Sequence, residues 1–421
     1  MPHVPKTRQT NNFPASTTLS KDRSEAMSGN SGSCFSNDIK TPYKSLNTML
    51  LTAVMTAAIL VLFFSSRNMA SAQTQRDAEP EKAEPEKTSQ EVLAFIDQQG
   101  RARPDWWEDV ELDYPETLDL DWPQQPQGGW NSQRNVGQYL WDVINPNPNR
   151  WRQGIQFMHF MLRRHQDDPA IRTRAMQTLA SMYYNFEQDY ARAAFWWDKA
   201  GIRHGVNHPA VVKVAICYWK LGNRQMGYQT LAGLAEHSIY YNMVKVLADM
   251  GYTDVALSLT RRLEESPRCD WAFLYAGDAC RVAGRYDEAI EYYNKILALR
   301  GTSEPQRNQY TRTQERARAS IAAIRIYDSL DLSEIPNGTY RASTRAYAGP
   351  LHVSVTILDG KITDVEVTQH QEKQFYSSIT DTPRQIVERQ GVQGVDAVTG
   401  ATITSEAIVN AVAKALGQAM R

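Results

Sequence analysis

The stretch LHVSVTILDGKITDVEV (351–367) places Leu351, Val353, Val355 and Ile357 at alternate positions, the period of a strand with one buried face. Asp359-Gly360 is a two-residue hairpin signal, because both residues tolerate positive φ. KITDVEV (361–367) then returns as a second strand with Ile362 and Val365 apolar. Upstream, NGTYRASTRAY (337–347) reads as a strand opened by an Asn-Gly turn. Downstream, Thr382-Pro383 opens a helix with proline at its first position, continued by Gln385, Ile386 and Val387. A last amphipathic helix is expected from Ser405 to Ala419, with Ile408, Val412, Ala415 and Leu416 on its inner face. Residues 332–421 therefore read as a small α+β domain.

GVDAVTGATITS (394–405) lies between those two helices. Thr402 falls just before a helix start, where free N–H groups and the helix dipole favour a phosphate. Gly400 and Ala401 leave room for a bulky group to approach, and Thr404 or Ser405 is a natural N-cap. If Thr402 is to take up such a group, its hydroxyl has to be exposed. The same residues also read as a plain strand-to-helix turn with its cap.

Asp396, Ala397, Val398, Thr399, Gly400, Ala401 and Thr402 match at every specified position the pattern Asp, two variable residues, Ser or Thr, Gly, Ala, Thr. Here the chain resembles the FMN-binding domain family, which includes the flavin subunits of the Rnf complex and of the sodium-pumping NADH–quinone reductase. GTYRAS (338–343) and the 351–367 hairpin are similar as well. The resemblance covers about a fifth of the chain. It implies FMN held by a phosphodiester to Thr402, with Asp396, Thr399, Gly400 and Ala401 as the recognition sequence. It also implies maturation by a separate, exported, magnesium-dependent flavin transferase that draws on FAD. The Pro-Gly loop that many members carry after the second hairpin strand is replaced here by HQEKQFYSSI (370–379). Phe375 or Tyr376 could stack on the ring, and His370 or Lys373 could sit at its polar edge. An ordinary surface loop accounts for the same residues.

The middle of the chain is helical. CDWAFLYAGDACRVAGRYDEAIEYYNKILALR (269–300) sets Phe273, Ala276, Gly277 and Cys280 on one helix face, a turn at Gly284, and Ala289, Tyr293 and Ile296 on a second. This resembles the tetratricopeptide pattern, in which small residues, here Gly277 and Ala289, let antiparallel helices approach. Equivalent small residues at Ala193, Gly227, Ala256 and Ala289 are spaced by 34, 29 and 33, close to the repeat of about 34. The fold expected is an α-helical tetratricopeptide-like solenoid (151–330) followed by the FMN-binding domain; a plain helical bundle is the alternative. Stacked repeats leave a concave face for a partner, here a redox protein or membrane complex. Residues 93–150 are Trp-rich, acidic and broken by proline. They either cap the first repeat or bind a partner.

The front of the chain reads as an address. Residues 1–43 are polar and read as disordered, with Met27 and Met49 as alternative starts. Residues 44–72 hold TMLLTAVMTAAILVLFF (48–64), an uncharged run of borderline spanning length. Lys40 and Lys44 precede it, which favours an N-terminus inside, and Ala70-Ser71-Ala72 resembles a cleavage site. A signal anchor is preferred to a cleaved signal peptide, and in either case the bulk is extracytoplasmic. Residues 73–92 form a charged linker with an AEPEK repeat.

Over 421 residues, 46 Lys and Arg face 47 Asp and Glu, so no basic field suggests nucleic acid. The four cysteines form no CxxC pair or haem signal. Cys269 and Cys280 could form a disulfide outside the cell, but two buried thiols are the preferred reading. His204 and His208 are four apart, yet a glycine between them argues against a metal site. No catalytic dyad or nicotinamide fingerprint is seen. An extracytoplasmic electron carrier is the first functional expectation. A repeat-based scaffold with a structural or sensory flavin domain is the second, and a flavin reductase acting with another subunit the third.

Overall fold

In a computed structural model, residues 86–122, 129–372, 377–395, 397 and 401–420 are described. Helix α1 (Ser89–Arg101) begins four residues inside the expected linker. Thr88 starts it: its hydroxyl accepts from the Glu91 N–H while the Glu91 carboxylate accepts from the Thr88 N–H, a reciprocal cap that satisfies two otherwise orphan donors. The Trp-rich stretch that follows contains the short helix α2 (Val136–Tyr139) and lies against the first long helices. Gln156 donates to Trp107 O (2.7 Å), Arg174 donates to Trp122 O (3.2 Å), and Arg174 also covers the Trp122 ring at 4.6 Å.

Helices α3 (Trp151–Arg164), α4 (Pro169–Met182), α5 (Tyr190–Lys199), α6 (Val211–Lys220), α7 (Arg224–Ala235), α8 (Asn242–Asp249), α9 (Thr253–Arg262), α10 (Cys269–Val282), α11 (Tyr286–Ala298) and α12 (Glu304–Ile324) pack on their sequence neighbours along most of the array. Gly222, Gly251 and Gly284 close three of the turns at positive φ (+101°, +86° and +73°), which only glycine adopts without strain. Close approach is visible at Gly227, where an added Cβ would sit 2.7 Å from Ala215 O of α6. At Gly277 such a Cβ would strike the Tyr293 ring, so the small residue of α10 accommodates a large one of α11.

Cys269 and Cys280 are buried free thiols on the same helix. Eleven residues along a helix separate them by about 16 Å, which excludes a disulfide. His204 Nδ1 meets Thr230 Oγ1 (3.2 Å), whereas His208 Nδ1 accepts from Ala210 N (3.1 Å); the two rings serve different partners.

The sheet follows the sequence closely. Strands β1 (Gly338–Arg345), β2 (Pro350–Leu358) and β3 (Lys361–Gln369) form an antiparallel meander in the order β1-β2-β3. Asp359 and Gly360 both have positive φ (51° and 69°), the left-handed pair that a twisted two-residue hairpin requires. Leu351, Val353, Val355 and Ile357 are all buried.

Both C-terminal helices start earlier than their sequence signals. Helix α13 (Ser377–Arg389) holds Pro383 inside it. Burial of Ser378, Thr382, Pro383 and Ile386 outweighs the hydrogen bond that proline cannot donate. Helix α14 (Thr402–Ala419) is buried nearly all round from Thr402 to Leu416 and is not amphipathic as expected. The sheet and α13 cover part of it, and α12 of the array covers another face. Accordingly Lys82–Arg421 is one compact unit. Among the described residues no helix is long and apolar enough to cross a membrane; the apolar run 48–64 lies outside them.

Candidate functional site

The N-terminus of α14 organises the site. Thr402 is the first helical residue, and the N-cap is Ala401 (φ −122°, ψ 24°), whose side chain cannot accept a hydrogen bond. The first i→i−4 bond of the helix is Ser405 N to Ala401 O (3.0 Å). The N–H groups of Thr402, Ile403 and Thr404 therefore have no acceptor within the helix. An anion at this end also meets the positive pole of an 18-residue helix. Thr404 and Ser405 do not cap, contrary to expectation, because the helix begins at Thr402 and both lie inside it. Thr402 itself is only 6% exposed, so the expected open acceptor is covered in this conformation.

Glu372 ties three segments together beside that end. Its Oε2 accepts from Thr404 Oγ1 (2.8 Å) and its Oε1 from Ala348 N (2.9 Å), in the turn between β1 and β2. Its own N–H is donated to His370 Nδ1 (3.2 Å). An added Cβ at Gly349 would strike the Gln371 side chain, so the two loops touch closely. Glu372 is not among the residues that the sequence singles out. The one available signal was an acid in a loop where family members carry Pro-Gly.

The opposite side of α14 faces the helical array through buried polar contacts. Arg281 of α10, with no exposed side-chain surface, pairs with Glu406 (Nη2 to Oε1, 2.6 Å). The same Nη2 donates to Val395 O (3.2 Å). Arg316 of α12 donates to Ala346 O (3.1 Å), and Asn410 donates to Ser320 Oγ (3.0 Å). Tyr293 donates to Asp278 (2.8 Å). Burial, reinforced by the charge of Glu406, pushes the Asp278 carboxyl well above the ordinary carboxylate range, against the opposing pull of Arg281, Tyr293 and Lys245.

Of the residues named from sequence, Thr402 and Ala401 come together at the helix start. His370 lies in the Glu372 loop, its Nδ1 engaged by that residue's N–H. Asp396, Thr399, Gly400, Lys373, Phe375 and Tyr376 lie outside the described residues, as does the structure of any ring-stacking platform they would form.

Residues 346–417 match the FMN-binding domain family. The chain thus carries an FMN-binding domain, and FMN is the cofactor its C-terminal part is built for. A protein of Treponema pallidum (strain Nichols), described as an uncharacterized protein, is 40% identical over 88 residues. That match spans 20% of this chain and 24% of the relative, so the likeness is confined to about a quarter of the relative's length. No solved structure matches the chain. The described residues fit the phosphate end of FMN: a hydroxyl at the first helical position, an uncapped first turn and small Ala401 before it.

Proposed function

We propose that this chain is an exported, membrane-associated flavoprotein that carries FMN covalently on Thr402 and relays electrons between redox partners outside the cytoplasm. The observation that carries the reading is the DAVTGAT motif (396–402) ending at the uncapped start of α14, within the family-matched region. In the attachment step, Thr402 Oγ attacks the FMN-side phosphorus of FAD on a flavin transferase. The new Oγ–P bond replaces the P–O bond to the adenylate, AMP leaves, and the hydroxyl proton is released. The N–H groups of Thr402, Ile403 and Thr404 would then hold the phosphodiester oxygens. The burial of Thr402 requires this region to open for the transferase, or to be modified before it closes.

FMN, when bound, exchanges one or two electrons and so couples hydride donors with one-electron acceptors. The chain's own part is to tether and orient. The apolar run 48–64 would hold it at the membrane, 73–85 would act as spacer, and the helical array would dock the redox protein or membrane complex. A covalent bond suits a compartment from which a free flavin would be lost.

Intact mass of the full chain, exported from its host or co-expressed with a flavin transferase, tests the assignment. Wild type should gain one FMN moiety and Thr402→Val none. An unmodified wild type, in a host that modifies a known family member, would rule out the covalent bond.

A further inference from the structure

The acceptor motif is flanked by two residues held by one side chain from outside the flavin domain. Val395 immediately precedes the motif 396–402, and Glu406 lies one helical turn beyond Thr402. Arg281 Nη2 bonds to both, to the carbonyl of the first and the carboxylate of the second. We infer that Arg281 of the helical array is a positioning residue for the flavin acceptor, so that the array completes the flavin site as well as serving partners. This rests on the covalent reading above.

The geometry favours positioning over simple stabilisation. An Arg–carboxylate pair built for strength is bidentate, with two parallel bonds. Here one nitrogen makes both bonds, Glu406 Oε2 is buried without a hydrogen-bond partner among the described residues, and the neutral Tyr327 hydroxyl, not a second carboxylate oxygen, lies beside the rest of the Arg281 guanidinium. A buried pair of that kind is a poor source of stability, and apolar residues of similar volume commonly replace one without loss. What an apolar pair cannot do is hold a backbone carbonyl. The bond to Val395 O sets where the motif starts relative to the helix where it ends. Arg316 does the same for the neighbouring turn, through Ala346 O, two positions before Ala348, whose N–H donates to Glu372. Two arginines of the array thus reach buried backbone carbonyls of the flavin domain, at Val395 and at Ala346.

The experiment follows FMN transfer to the full chain over time by intact mass, with FAD and a flavin transferase, together with the thermal midpoint of each chain. R281M and the double variant R281M/E406L are compared with wild type. In the double variant neither member of the Arg281–Glu406 pair is left buried without the other, and Asp278 loses the opposed influences of both together, so its midpoint should return close to wild type. Its transfer rate should nonetheless fall at least tenfold through kcat, with KM for FAD unchanged, and amide exchange of 401–406 should accelerate. A double variant that melts like wild type and is modified at the wild-type rate overturns the inference. A wild type that gains no mass overturns the covalent reading instead, and the two failures are told apart in the same samples.

Discussion

The two sides of α14 are buried to a similar degree and built in opposite ways. Glu406 and Asn410, four residues apart, face the array and meet Arg281 and Ser320. Ile408, Val412 and Ala415 lie on the other side, at about 100° per residue, and belong to the apolar core shared with the sheet. On the sheet side the buried contacts are chiefly apolar, with Thr344 Oγ1 of β1 donating to Ala407 O (2.7 Å) as a directional exception, and the free energy scales mainly with the area removed from water. On the array side it depends on the alignment of a few buried polar atoms. The first arrangement makes a domain cohere. The second sets how that domain is held against its neighbour, at the risk of a heavy penalty when one partner is missing.

This contrast can be broken at graded cost. R281M leaves the Glu406 carboxylate buried and unpaired, and should destabilise the chain by about 4 kcal/mol. Urea titration would measure it, and R281M/E406L should recover most of the loss. Ile408→Ala, on the other side, removes buried methylenes and should cost about 3 kcal/mol. No second truncation should restore that loss, because a cavity has no charge to neutralise. Recovery by a second deletion would show that the two sides do not differ in kind.

Titration separates the seam from the interior of the array. His159 stacks edge-on to Trp107 (4.9 Å) and Trp196 (5.2 Å). Burial, with the charges of Arg163, Arg103 and Arg192, depresses it from 6.5 to about 4. The unfolded chain binds this proton first. Its contribution is therefore present above pH 6.5 and lost as pH falls toward about 4, a change of roughly 3 kcal/mol. Asp278 has the opposite sign. Its folded-state affinity for a proton is raised, so its contribution is largest below the ordinary carboxylate pKa of about 4. It is lost as pH rises from there through the folded value. Stability against pH should lose its acid slope in His159→Phe and its decline with rising pH above about 4 in Asp278→Asn. An unchanged acid limb in His159→Phe would mean the ring does not hold its neutral form in the native state. The smallest effect is expected from Ser320→Ala, which deletes one hydrogen bond with Asn410 at about 1 kcal/mol.

The strands were legible almost to the residue. Alternation from Leu351 to Ile357 and the Asp359-Gly360 pair are local properties, and backbone sterics leave few other conformations open to them. The helix starts were less legible. Thr404-Ser405 and Thr382-Pro383 both look like N-terminal signals, yet the chain runs helical through them from Thr402 and from Ser377. Packing of α13 on β3 and α14, and of α14 on the sheet and α12, outweighed a cap worth about 1 kcal/mol. The cysteines were legible only as alternatives. A single helix spanning Cys269–Val282 decided between them.

By itself, the sequence determined the helix-then-sheet order, the hairpin and the DAVTGAT motif with Thr402 at its end. Each of these depends on residues close together in the chain, where spacing and backbone preference are sufficient. Only the tertiary structure decided that α14 is buried on both sides, that Glu372 ties the Thr404 end of the helix to the turn before β2, and that Arg281, 114 residues from Val395, holds the approach to the acceptor motif. Those are meetings between distant segments, and no periodicity or propensity encodes which buried arginine will find which carbonyl.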